Sequence, residues 1–184
     1  MKMLRVWIFV LVALAQLSVP ALLAWGRQQT LKNGRVWKFK TAPVDPEDAI
    51  RGRYIRLRFQ AEDFTQPEQF SSTDSVYAVL KETADGFAQI DHISTTPISG
   101  DNVLKVEQGG SWDGKQRIVI PFTQFWVAEK IAPEAERVYR ENSRRGKEDA
   151  YVTVRVRAGD AALEQLYIDN QPLPEYLRAQ AAKK

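Results

Sequence analysis

The chain contains no cysteine and a single histidine, His92. The first absence excludes disulfides, thiolate metal sites and cysteine nucleophiles, although it does not choose a compartment, since a chain without thiols is compatible with oxidising and reducing surroundings alike. The second excludes the histidine-rich cages typical of zinc, leaving an oxygen-rich calcium site as the metal chemistry still open. No cofactor is expected. His92 falls in a predicted strand with no serine motif around it, so it reads as a structural or exposed side chain rather than a triad member. Strong charge of one sign is also missing. Lysine and arginine number 26 against 23 acidic residues, a net +3, and Lys2 and Arg5 at the N-terminus supply most of that excess. A basic nucleic-acid footprint is therefore not supported, and no nucleic-acid partner is expected. Repeats and low-complexity tracts are absent. The glycine-rich stretch Gln108 to Gly114 lacks the lysine–serine or lysine–threonine pair that a nucleotide loop places before a helix, and it leads into a strand, so it reads as a hairpin turn carrying Trp112.

What is present begins with an apolar run. Val6 to Trp25 holds no charge, and at about 1.5 Å per residue such a helix crosses about 30 Å of hydrocarbon. Trp7 and Trp25 stand at its two ends, where indoles prefer the boundary between lipid and water, and Pro20 is tolerable in a membrane. A cleaved signal peptide is the rival reading, with Ala13-Leu14-Ala15 as the cleavage site and Gln16 as the new N-terminus. The apolar run continues well past that site, which favours a retained anchor. Residues 1–26 are thus expected to be the anchor and residues 27–184 a single soluble α+β domain. Positive residues lie on both flanks, Lys2 and Arg5 before the run and Arg27, Lys32, Arg35, Lys38 and Lys40 after it, so their count alone points the domain inward. Large domains translocate despite such charge, and a short basic tail resembles an ordinary insertion signal, so a periplasm-facing domain is expected. Lys38 and Lys40 alternate with Trp37 and Phe39, as the solvent face of a first strand does.

The most punctuated stretch is Thr41 to Phe59. Asp45 disfavours helix before Pro46, while Pro46, Glu47 and Asp48 suit a short first turn that ends near Arg51-Gly52. Arg53 to Phe59 then alternates: Ile55, Leu57 and Phe59 on one face, Tyr54, Arg56 and Arg58 on the other. Further strands are expected at Ser75 to Thr83 and Phe87 to Ser94, joined by Ala84-Asp85-Gly86, then at Asn102 to Glu107, Gln116 to Phe122, Tyr151 to Arg157 and Ala161 to Ile168. Pro133 to Arg145 reads as an amphipathic helix with a buried stripe of Ile131, Ala135, Val138 and Tyr139, and with Glu136–Arg140 and Glu141–Arg145 pairs on its wet face. A short helix follows near Pro174 to Ala182. Tyr151 to Arg157 repeats the pattern of the first motif: Val152, Val154 and Val156 face one way, Tyr151, Thr153, Arg155 and Arg157 the other. An anion-gripping surface follows if the two arginine rows share one sheet; two solvent faces follow if they do not.

Gly52-Arg53-Tyr54-Ile55-Arg56-Leu57-Arg58-Phe59, preceded by Pro43-Val44-Asp45-Pro46, resembles the motif of a family of bacterial membrane-anchored proteins named for it, GDYXXLXY. Gly52, Tyr54 and Leu57 match, while Arg53 replaces the motif's aspartate and Phe59 its final tyrosine. Phe125-Trp126-Val127-Ala128-Glu129 with the helix after it, and the hairpin ending Leu166-Tyr167-Ile168-Asp169, are similar to other segments of that family. The resemblance implies an architecture and an inner-membrane location, and no activity.

These readings give an α+β fold: an N-terminal transmembrane helix, then a mainly antiparallel sheet with one amphipathic helix across it. The function expected is that of a non-enzymatic accessory or binding protein, with an integral membrane protein as partner. Its polar patch comprises Asp45, Asp48, Arg51, Tyr54, Arg56, Arg58 and Glu129. The alternative is an anchored serine–lysine hydrolase drawing on Ser94, Ser99 or Ser111 with Lys105 or Lys115, or else a secreted binding protein.

Overall fold

A computed structural model describes residues 2–42, 54–64, 75–112, 115–144 and 149–182. Helix α1, Lys2–Asn33, is longer than the apolar run that starts it. Nothing between Trp25 and Asn33 breaks a helix except the tolerated Gly26, so the backbone carries on in one piece and closes at Gly34, whose N–H donates to the Thr30 carbonyl at 2.9 Å. Glycine is required there, because a Cβ would meet the Thr30 carbonyl at 2.6 Å and the Val156 carbonyl at 3.0 Å. The helix end thus lies directly on the body. The stem at Arg27 to Asn33 is helix, with Thr30 buried. The apolar window of α1, by contrast, is not buried against the rest of the chain at all.

Strand β1, Arg35–Lys40, turns Trp37 and Phe39 inward as their alternation predicts. It pairs with β8, Ala150–Arg157, which pairs with β9, Asp160–Ile168, and that with β10, Gln171–Pro172, in an antiparallel sheet ordered β1-β8-β9-β10. The second sheet is ordered β4-β3-β5-β6, from β3 Val76–Glu82, β4 Ala88–Ser94, β5 Val103–Trp112 and β6 Lys115–Val119. A parallel bridge between Leu104 and Gly159 ties the two sheets together. The glycine-rich link is shorter than its composition suggests, since ladder pairing runs on to Trp112 and Lys115 across a local irregularity. A third, two-stranded ribbon joins β2, Tyr54–Arg56, to β7, Gln124–Trp126.

Two helices pack on this framework. In α2, Ala132–Asn142, the predicted stripe holds for Ala135, Val138 and Tyr139. Ile131 departs from it: it is 37 % exposed, because it ends a 3₁₀ turn whose tighter winding rotates it off the helix stripe, and Asn142 is buried in addition. Arg140 pairs with Glu136 as expected, while Glu141 pairs with Arg137; Arg145 lies outside the described residues. Helix α3, Leu173–Ala181, sets Leu173 and Leu177 into the same core. At the centre the rings of Phe39, Phe59 and Phe122 meet edge to face, with centroids 5.3 to 5.8 Å apart. The fold is α+β, mainly antiparallel, behind a long apolar N-terminal helix.

Candidate functional site

The ribbon is where the described part of the patch resides. In β2, Ile55 is buried, and beyond it Leu57 and Phe59 continue the inward row, while Arg56 and Arg58 are exposed and Tyr54 is half-buried. Regular pairing covers only Tyr54 to Arg56 of the predicted strand; Phe59 is held by a single bridge to Thr41, and Arg58 offers its carbonyl to the Ala42 N–H at 2.7 Å. Two neighbours therefore share the motif, β7 along its start and the chain after β1 along its end.

Register puts Tyr54 opposite Trp126, Ile55 opposite Phe125 and Arg56 opposite Gln124. Phe125 packs toward the core and Trp126 outward, where its ring lies 5.4 Å from that of Tyr54. Trp126 is 65 % exposed, far above the 36 to 42 % of the other exposed large apolar side chains described outside α1. An indole in water with a phenol beside it, on a ribbon whose facing strand also carries an exposed arginine, brings together the three residue types that contribute most at protein interfaces. Trp126 was not among the expected patch residues. Its signal lay in the Gln124-Phe125-Trp126 alternation, too short to register as a strand without its partner β2.

Beneath the ribbon, structure is fixed by a half-buried carboxylate. Glu62, in the 3₁₀ turn Gln60–Asp63, accepts the N–H of Phe59 at 3.2 Å and that of Ile120 at 3.1 Å. Burial pushes its pKa up, opposed by those two hydrogen bonds and by Arg58. Glu62 therefore clamps the end of the motif to the strand region after β6. Tyr139 of α2 turns its hydroxyl toward Thr41 and the Arg58 backbone without closing a hydrogen bond of ordinary geometry, and burial raises it to about 12.

The remaining expected residues are dispersed. Arg58 is paired with Asp63 at 2.8 Å. Glu129 is exposed on the 3₁₀ turn that leaves the ribbon at its Tyr54 end, so the ribbon's length separates it from Arg58. Asp45, Asp48 and Arg51 lie outside the described residues. The second arginine row does not join the first. It belongs to β8, in another sheet, and its outer side is largely covered: Tyr151 and Thr153 are buried, with Tyr151 stacked on Tyr167 at 4.9 Å and met edge-on by Phe87 at 5.6 Å.

The alternative chemistry finds no assembled pair. Ser94 and Lys105 both face Tyr77, from β4 and β5, so the whole width of β3 lies between them, roughly 10 Å at the usual strand spacing. The side chains of Ser111 and Lys115 are outside the described set. His92 is exposed and bonds Asp91 at 2.9 Å. That contact, with Lys81 as the second neighbour, holds the Asp91 carboxyl below its usual range. Among the described residues no three acidic, histidine or cysteine side chains gather to hold a metal.

The sequence pattern described as GDYXXLXY protein matches residues 16–166, most of the chain. The chain belongs to the GDYXXLXY family. No curated protein and no solved structure matches it. In this GDYXXLXY protein the named positions divide by direction: Leu57 and the final aromatic, Phe59, anchor the strand inward, and Tyr54 stands beside the exposed Trp126.

Proposed function

We propose that this GDYXXLXY protein is a membrane-anchored, non-enzymatic accessory protein of the bacterial envelope, whose ribbon binds an integral membrane partner. Helix α1 serves as a retained anchor in the inner membrane and the body faces the periplasm. The observation that carries the reading is Trp126, 65 % exposed against Tyr54 and on the strand paired with Arg56. An indole left in water has no role in the core, and its place on a ribbon that also exposes Arg56 suits capture of a partner face that is apolar with an acidic rim. Arg58 and Glu129 flank that centre; Asp45, Asp48 and Arg51, which precede the motif in sequence, are proposed as further contact residues and lie outside the described residues. The helix supports the anchor because its apolar window is not buried by the chain's own body.

Exchange of Arg56 and Arg58 for glutamine should leave folding intact and abolish co-purification of the partner from detergent extracts. Unchanged capture would remove both arginines from the surface. A reporter fused after Lys184 reads the side of the membrane directly, and the N-terminal residue of the mature chain separates the anchor from a cleaved leader.

A further inference from the structure

Where α1 meets the body, the helix and the β8–β9 turn enclose a cleft of about 440 Å³, lined by Trp25, Gly26, Gln29, Thr30, Arg157, Ala158 and Asp160. Its position along the helix is fixed by the chain. Trp25 ends the apolar run, and Thr30 lies five residues further on, about 7.5 Å along the axis at 1.5 Å per residue. The headgroup layer on one side of a bilayer is of that thickness, about 5–8 Å, and indoles settle at its inner border. Resting on the anchor reading above, the cleft thus opens within the headgroup layer rather than in free solvent or hydrocarbon.

Its chemistry is two-signed. Arg157 and Asp160 are opposite each other across the two-residue turn, both exposed, and neither side chain has a hydrogen-bond or ion-pair partner among the described residues. A cation and a carboxylate side by side and unpaired on one apolar-walled cleft complement a ligand that carries an anion and a cation a few ångströms apart. Trp25 and Gly26 supply the apolar wall. We propose that this cleft binds the phosphoethanolamine headgroup of a membrane phospholipid, Arg157 taking the phosphate and Asp160 the ammonium. Arginine grips phosphate oxygens in a fork, and a primary ammonium donates N–H bonds to a carboxylate. A quaternary trimethylammonium has no N–H to give, and a glycerol headgroup no cation at all. Occupancy would hold the β8–β9 turn against the bilayer and orient the body on it.

The test uses the full chain in nanodiscs holding equal amounts of phosphatidylethanolamine, phosphatidylcholine and phosphatidylglycerol, with lipids retained on the released protein identified by native mass spectrometry. Phosphatidylethanolamine should be retained about ten-fold over phosphatidylcholine, the factor set by one charge-assisted hydrogen bond. Asp160→Asn should equalise those two lipids, Asp160→Glu should keep the excess, and Arg157→Gln should lower retention of all three. Equal retention of all three by the native chain, or an excess of phosphatidylglycerol, would overturn the proposal. Resistance of the chain to alkaline extraction from membranes is scored separately: extraction refutes the anchor, whereas insertion without lipid preference refutes the cleft alone.

Discussion

Strand β2 with the two residues after it, and strand β8, carry similar letters, Tyr54-x-Arg56-x-Arg58 and Tyr151-x-Thr153-x-Arg155, yet they end in different surroundings. In β8 the outward row is closed over at Tyr151 and Thr153 and opens only at its end, Arg157. Tyr151 is stacked on Tyr167 and met edge-on by Phe87, and Arg155 donates to both Glu164 oxygens at 3.1 and 3.2 Å and to the Gly34 carbonyl at 3.3 Å. That arginine closes the seam between the helix and the sheet. In β2 the outward row stays open beside Trp126. The difference shows that alternation decides which side of a strand a residue takes, whereas distant segments decide whether that side remains in water.

The largest effect expected on this comparison is inward, at the motif's last position. Phe59→Ala removes a fully buried ring from contact with Phe39 and Phe122. It should cost about 3–5 kcal/mol of unfolding free energy, read from urea titration of the detergent-solubilised chain. A loss comparable to that of an exposed substitution would mean that the motif strand does not close the core.

The comparison itself is tested by equal truncations of the two tyrosines. Tyr151→Ala should destabilise by about 2–3 kcal/mol, and Tyr54→Ala by about 1 kcal/mol, chiefly the ring contact with Trp126. Equal losses would mean that both rows are covered alike.

A pH series sharpens the account of how the ribbon is held. Burial raises the folded pKa of Glu62 above its ordinary value of 4.5, so folding favours the protonated form. Its contribution is therefore fully present below about pH 4.5 and is lost as pH climbs through the raised folded value. The stability of the native chain relative to Glu62→Gln should fall across that window and then level off. A flat difference would place Glu62 in water.

The smallest effect concerns the closed row. Thr153 is buried with a hydroxyl that finds no partner among the described residues. Thr153→Val keeps the shape and removes the orphan, so stability should hold or rise by up to about 1 kcal/mol in the same urea assay. A clear loss would reveal a hydrogen bond at that hydroxyl.

Much of the framework was legible in the letters because it rests on local period. Ile55, Leu57 and Phe59, and likewise Val152, Val154 and Val156, are buried as their spacing predicts, and Ala135, Val138 and Tyr139 line α2. What escaped was set by contact with remote chain. Trp126 takes its exposed place beside Tyr54 from a register with a segment many residues earlier, and the cover over Tyr151 comes from Phe87 and Tyr167. Helix α1 outlasted its apolar run because the body supplies a docking face for Thr30 and Gly34, which no hydropathy pattern records. The candidate site was half legible: Tyr54, Arg56 and Arg58 point outward as expected, while its most exposed member was not foreseen.

The central claim is that the open ribbon, and not the closed sheet, makes contact with another membrane protein. A photo-crosslinking residue in place of Trp126, in the full chain within native membranes, tests it against the same residue in place of Gln165 on β9. The account predicts one discrete protein adduct from position 126, lost when Arg56 and Arg58 are exchanged for glutamine, and none from position 165. Equal labelling from the two positions, or an adduct indifferent to those arginines, would contradict it.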